Sequence, residues 1–398
     1  MCDGTLPGKI KNVGKRETMK DFFHGELEII GMKGCKSFVD QVDNYICDWR
    51  GHERETYVTQ AECPRFGTGE AKGLLHETQR GKDVYIIVDC FNYGPETEYN
   101  MYGQINRMSP DDHFSDLKRV IAAIGGKARR ISVIMPMLYE GRQHRRSARE
   151  SLDSAQALHE LVNMGVSNII TFDAHDPRVA NSIPLAGFDN VQVTYQMIKA
   201  FVKNIPDGQL KAGKTMMVSP DEGGMSRCMY YSSVLGLELG MFYKRRNYTV
   251  IVNGRNPIEA HEFLGNDVSG KDVIIVDDMI SSGDSVIDIA YQLKQRGAKR
   301  IFVFASFGLF CNGLATMDKA YEDGAITKIF TTNLIYRTPE LLSREWYCEV
   351  NLCKYVALII DTLNHDMTIS DLLNPVTRIH NLLDKVNKAE KAAGKEDK

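Results

Sequence analysis

Short apolar runs recur along the chain with the continuous hydrophobicity of strands covered on both faces, not the strict alternation of a half-exposed sheet. They are Val84–Asp89 (VYIIVD), Ile131–Met137 (ISVIMPM), Asn168–Ala174 (NIITFDA), Thr215–Asp221 (TMMVSPD), Met241–Lys244, Val273–Asp278 and Arg300–Phe307 (RIFVFASF). Between them the period lengthens to that of a helix. Leu152, Ala155, Leu158, Leu161 and Val162 fall on one stripe, as do Val286, Ile289, Ala290 and Leu293, which Gly297 ends. Strand followed by helix, repeated this way, predicts mostly parallel sheets flanked by helices, and the pattern occurs twice. An α/β chain of two similar halves is expected. The polar, Gly- and Pro-containing stretch 203–215 (KNIPDGQLKAGKT) is the best linker candidate. The expected domains are 24–195, 196–375 and a charged tail over 376–398, whose last residues (NKAEKAAGKEDK) lack large apolar side chains and are expected to fray.

Composition narrows the class. A chain of 398 residues has room for two domains, each with its own core. Apolar content of 43% and charged content of 25% suit a soluble globular protein. A net charge of -3 argues against a dedicated nucleic-acid binder. No apolar run approaches the ~18 to 20 residues that span a bilayer. The basic residues near the N-terminus are not followed by the apolar core of a signal peptide, so a cytoplasmic location is expected. Nine cysteines, irregularly spaced and without a CxxC pair, fit neither a disulfide framework nor a zinc site. Cys90 and Cys311 follow strand-like runs and are expected as small buried hydrophobes.

The stretch VIIVDDMISSGDSVIDIA (273–290) carries the most chemistry. A buried strand runs into two adjacent acids, then a loop of small residues, then a helical pattern. Backbone N–H groups of Ser281, Ser282, Gly283, Asp284 and Ser285 would face an anion, aided by the positive end of the following helix. Asp277 and Asp278, at the C-terminal edge of the sheet, would accept hydrogen bonds from two vicinal hydroxyls. A sugar phosphate satisfies both features. The plainer alternative is that the acids only cap the loop and helix. A second phosphate-loop imitation, Gly265 to Lys271 (GNDVSGK), is rejected because Asp272 follows its Lys and the loop precedes its strand.

VIIVDDMISSGDS resembles the phosphoribosyl-binding signature shared by type I phosphoribosyltransferases and ribose-phosphate pyrophosphokinase. Five further stretches, in the pyrophosphokinase order, decide between those two. RFGTGEAKGLLHETQRGKDVYII (65–87) is similar to its F-x-D-G-E to R-G-K-D-V segment, and MPMLYEGRQHRR (135–146) to its catalytic loop. TFDAHD (171–176) resembles its D-L-H metal motif, VSPDEGGMSR (218–227) its S-P-D-x-G-G motif, and YKRR (243–246) its basic strand end. The resemblance spans roughly residues 60 to 290, with a weaker match over 329–373.

The resemblance implies two phosphoribosyltransferase-type I domains and transfer of a diphosphoryl group from ATP to ribose 5-phosphate, with Mg²⁺ as cofactor. It implies catalytic cations at Lys244, Arg246 and Arg142, and an ATP site of Phe66, Thr68, Glu70, Arg142, Gln143 and His144. It places ribose 5-phosphate on Asp277, Asp278 and Ser281 to Ser285, and the metal on His175 and Asp221. One imidazole and one carboxylate make only part of an octahedral Mg²⁺ shell, which ATP oxygens and water would complete. Cations suit the charge that accumulates on a transferring phosphoryl group. A homo-oligomer, hexameric or of dimers, is implied as well. This chain departs from the family at Thr68 and His144, both Asp elsewhere, and at Asp284, a Gly elsewhere. A carboxylate at 284 repels a phosphate unless it points outward. The alternatives are a non-catalytic regulatory homologue of the synthetase, which those departures favour, and a phosphoribosyltransferase, which two α/β halves disfavour.

Overall fold

The computed structural model describes residues 24–246 and 258–396, with side chains over 24–243 and 262–388. Five strands, β1 (Leu27–Gly31), β2 (Asp83–Ile87), β3 (Arg130–Ile134), β4 (Asn168–Phe172) and β5 (Gly187–Val191), form an all-parallel sheet in that order. The second sheet holds β6 (Thr215–Ser219), β7 (Glu238–Arg246), β8 (Ile258–Leu264), β9 (Asp272–Ile280), β10 (Arg300–Gly308), β11 (Lys328–Thr332) and β12 (Tyr347–Val350). Its order is β8-β7-β6-β9-β10-β11-β12, parallel except for the β7–β8 pair. The expected α/β architecture of two halves is the one observed.

Helices complete the layers. They are α1 (Lys36–Trp49), α2 (Pro110–Ile124), α3 (Asp153–Asn163), α4 (Thr194–Asn204), α5 (Met225–Leu235), α6 (Asp284–Gln295), α7 (Ala315–Glu322), α8 (Cys353–Asn364) and α9 (Val376–Glu396). The apolar stripes of α2 and α3 bury Leu117, Val120, Leu158 and Leu161 on one face of the first sheet. Those of α6 and α7 bury Ile289, Leu293 and Met317 on the outer face of the second. The inner faces share one apolar cluster, filled by Val42 and Ile46 of α1, Ile198 and Phe201 of α4, and Val356 and Ile360 of α8. Phe201 stacks edgewise on Phe302, 5.1 Å between centroids, so the helix after the first sheet packs on the second. In return, α8 packs on α1, and Asn364 at its end donates to Asp83 at 2.9 Å. Asp83 also receives the fork of Arg130.

Several expectations change. Helix α9 replaces the frayed tail, because Ile379 is fully buried and Leu382 and Leu383 pack on the shared core. That stripe lies upstream of the polar NKAEKAAGKEDK segment. Strands β1, β5, β8, β11 and β12, and two hairpins at 61–75 and 98–107, add to the predicted set. The polar GFDNV of β5 sits at a sheet edge, where a continuous apolar run is not required.

Candidate active site

Ligands of open parallel sheets bind beyond the carboxyl ends of the strands, at the point where strand order reverses. In the second sheet that point lies between β6 and β9, and Asp221 follows the former while Asp277 and Asp278 end the latter. The end of β4 in the first sheet meets them there. His175 Nδ1 lies 2.7 Å from Asp278 Oδ2, closing the two halves over a cleft of about 150 Å³ lined by Pro110, Arg142, His175 and Asp278. A larger cavity of about 590 Å³ adjoins it and shares Phe91, Pro110 and Arg142.

On the second lobe, Gly283 caps α6 at φ 94°, a conformation that favours glycine, and a Cβ there would overlap the Met317 methyl. The first amides of α6 have no intrahelical acceptor and face the loop. Asp284 is exposed, and its Oδ2 accepts from the Ser282 hydroxyl at 2.8 Å. The repulsion expected of a carboxylate at 284 is thereby turned onto a neighbouring donor. The Cys311 amide donates to the Ser281 carbonyl at 2.9 Å, which carries Cys311 beyond the strand. Cys311 is therefore exposed, against the expectation that it is buried, whereas Cys90 is fully buried as expected.

On the first lobe, Asp173 takes φ 38°, in the left-handed region, and the Ala174 amide donates to Asn190 Oδ1 at 3.0 Å. His175 is the next residue but one. Asp176 caps a short 3₁₀ turn, and its hydrogen bonds from Arg178 hold its carboxyl down at about 2. His144 Nε2 lies 3.3 Å from Asp176 Oδ2, and its ring is 5.5 Å from that of His175. Gln143 instead binds its own loop, donating to Ser151 O at 3.0 Å. Phe66, Thr68 and Glu70 line neither cavity. They share an exposed loop in which Thr68 donates to Glu70 at 2.9 Å and Phe66 is 56% exposed. Lys244 and Arg246 end β7 opposite His261 and Ile258, and their side chains lie outside the described residues. Lys271 of the rejected loop pairs with Glu238 at 2.5 Å.

The electrostatics of the strand ends derive from burial and proximity. The bond to Asp278 raises His175 above the ordinary imidazole range, outweighing its partial burial. Burial opposes the charge of Asp278, yet the His175 bond and the nearby Arg227 guanidinium, 3.9 Å away, bring its carboxyl to about 2. Burial and the Asp278 charge push Asp277 well above the carboxylate range. One acid is held ionised and its neighbour is driven toward the neutral form. The Asp221 carboxylate receives the Gly224 amide at 3.2 Å.

Among the described residues no group of three or more His, Cys, Asp or Glu gathers to hold a metal. A cation at His175 would thus take most of its shell from substrate and water. In the neutral ring, an Nδ1 that donates to Asp278 leaves Nε2 with the lone pair a metal requires. That nitrogen is one donor of the partial Mg²⁺ shell expected of His175 and Asp221. Sequence reasoning passed over two contributors. Arg227 ends the VSPDEGGMSR stretch, where nothing in the spacing gave it a role, and Ser306 sits in a strand whose only signal is a hydroxyl among apolar side chains.

Residues 27–165 match the N-terminal domain of ribose phosphate pyrophosphokinase, and residues 249–374 match the phosphoribosyl synthetase-associated domain. A ribose-phosphate pyrophosphokinase of Pyrococcus abyssi is 30% identical over 282 residues, 71% of this chain and 88% of the relative. The chain belongs to the ribose-phosphate pyrophosphokinase family. Its Vibrio cholerae relative of the same name is 28% identical over 320 residues, covering 79% of this chain and 91% of the relative. The crystal structure of phosphoribosylpyrophosphate synthetase from Mycobacterium smegmatis superposes with TM-score 0.70 at 19% identity, covering 86% of this chain and 99% of that one. The pyrophosphokinase fold therefore extends over the family's length, and the relation expected from the motifs holds.

Proposed function

We propose that this pyrophosphokinase-family transferase moves the diphosphoryl group of ATP to the 1-hydroxyl of ribose 5-phosphate, giving 5-phosphoribosyl 1-diphosphate and AMP. The supporting observation is the 2.7 Å contact of His175 with Asp278, which sets the metal motif of one lobe against the sugar motif of the other. The anomeric oxygen attacks the β-phosphorus, the bond from that phosphorus to the oxygen bridging to the α-phosphate breaks, and AMP leaves as the hydroxyl proton is released. Asp278, kept ionised by Arg227 and His175, and Asp277 beside it would accept ring hydroxyls. The Ser281 to Ser285 loop would hold the 5-phosphate at the start of α6. Arg142, which lines both cavities, and Lys244 and Arg246 would neutralise the transferring group. Mg²⁺, held by His175 and Asp221, would supply further charge neutralisation. Positioning and electrostatics account for most of the rate in such transfers.

Phe66, Thr68, Glu70, Gln143 and His144 complete the proposed ATP contacts. On the nearby hairpin, Tyr102 and Ile105 (78% and 72% exposed) are apolar surface that a second copy would cover, in keeping with a homo-oligomer. No described helix is long and apolar enough to cross a membrane, and a cytoplasmic location is part of the proposal. Purified protein with Mg²⁺, ATP and ribose 5-phosphate should release AMP in step with sugar consumption, followed by chromatography. ADP in that place would make the enzyme an ordinary kinase and end this reading.

A further inference from the structure

Beneath the His175–Asp278 contact lies a second bond between the lobes. The hydroxyl of Ser306, on β10, donates to Asp173 Oδ2 at the end of β4, across 133 positions of sequence. Both residues are buried. The Ser306 carbonyl in turn accepts from Thr332 Oγ1 at 2.6 Å, so the strand that offers the hydroxyl is fixed to its neighbour in β11. Arg227 lends its charge to the same carboxylate. Asp173 is held at φ 38°, a left-handed conformation that a residue with a Cβ keeps only when its surroundings over-determine it. Here they do, through the Ser306 hydroxyl on the side chain and the Val191 carbonyl on the amide, 2.9 Å away. That turn aims His175, two residues on, at Asp278.

We infer that Ser306 is a positioning residue of the reaction: through Asp173 it sets the direction from which His175 of one lobe meets Asp278 of the other. This rests on the diphosphoryl-transfer reading and adds a residue to it that touches no substrate. Misplacing reacting groups by about 1 Å costs on the order of 100-fold in rate. Ser306→Ala should therefore lower kcat by roughly 10- to 100-fold and raise the KM for ribose 5-phosphate a few-fold. Ser306→Thr keeps the hydroxyl and should recover most of the rate. Ser306→Val, of the same shape as Thr without the hydroxyl, should behave like Ala. Histidine-labelled NMR gives a readout independent of turnover, and the His175 ring signals should move in Ala and Val but not in Thr. Wild-type kinetics in Ser306→Ala, equal losses in Thr and Val, or hydroxyl-less variants that simply fail to fold while Thr folds would each overturn the inference. A wild-type enzyme that makes no AMP would overturn the functional reading instead, while the NMR comparison would still decide the role of Ser306.

Discussion

The two lobes end their central strands in similar sequences, DAHD after β4 and DDMI in β9, and then diverge. After β9 the chain turns at Gly283 into α6, a helix of 12 residues whose amides and dipole make an anion cradle. After β4 it enters a 3₁₀ turn, Pro177–Ser182, capped by Asp176, and no long helix points at the cleft from there. The second lobe is thus equipped for a phosphate and hydroxyls. The first offers imidazole and the Arg142 guanidinium instead. A parallel sheet edge, on this contrast, specifies only where a ligand sits. The turn or helix beyond the strand decides the charge it can take.

The largest test of that contrast is Asp278→Asn. An amide loses the charge that pairs with both His175 and Arg227, and kcat should fall by about 10² to 10³, as when other preorganised electrostatic contacts are removed. Steady-state rates within threefold of wild type would show that the two lobes do not cooperate through this contact.

Gly283→Val comes next. It combines a positive φ with overlap on Met317, and should destabilise the start of α6 by about 2–3 kcal/mol while abolishing detectable ribose 5-phosphate binding. Calorimetry with the sugar phosphate checks the binding and denaturant unfolding the stability. Retained affinity would move the phosphate away from the loop.

A third test probes another junction of the lobes. Asp89, at the end of the first-lobe strand β2, is buried and accepts the Tyr336 amide at 2.7 Å and that of Phe91 at 2.9 Å. Burial pushes its carboxyl up to about 6, against those bonds. A folded-state value above the unfolded one means that stability from this group is fully present below about pH 4 and is lost as pH rises through 6. Between the ordinary aspartate value and about 6 the difference corresponds to roughly 3 kcal/mol. The stability of wild type minus Asp89→Asn should thus fall by about that amount between pH 4 and 7 in urea titrations. A flat difference would mean that the carboxylate is solvated in the folded protein.

The smallest effect belongs to Asp284→Gly. Its carboxylate faces Ser282, so ribose 5-phosphate affinity should stay within about twofold of wild type, while loss of an acid in the first turn of α6 costs about 0.5 kcal/mol. A sharp loss of sugar binding would make Asp284 a ligand contact and overturn the assignment of the loop.

Hydrophobic pattern alone determined that the chain is α/β in two halves, because buried parallel strands such as Ile131–Ile134 and Val273–Val276 must be apolar on both faces and so read as unbroken runs. Strand, acids, loop and helix over 273–290 were legible for the same local reason: each piece is a few residues long and its geometry is set by its neighbours in sequence. The fraying expected of the tail, and the burial expected of Cys311, failed because helix α9 docks on the shared core and Cys311 is carried into a loop, neither of which a short window contains. Tertiary structure also decided which groups meet. His175 finds Asp278 across 103 positions, Ser306 finds Asp173 across 133, and Tyr336 finds Asp89 across 247. No periodicity encodes such pairs. They arise when two sheets close over one apolar cluster, and the burial that results both raises Asp277 and Asp89 above the ordinary carboxylate range and leaves each polar group to be satisfied by whatever the other lobe presents.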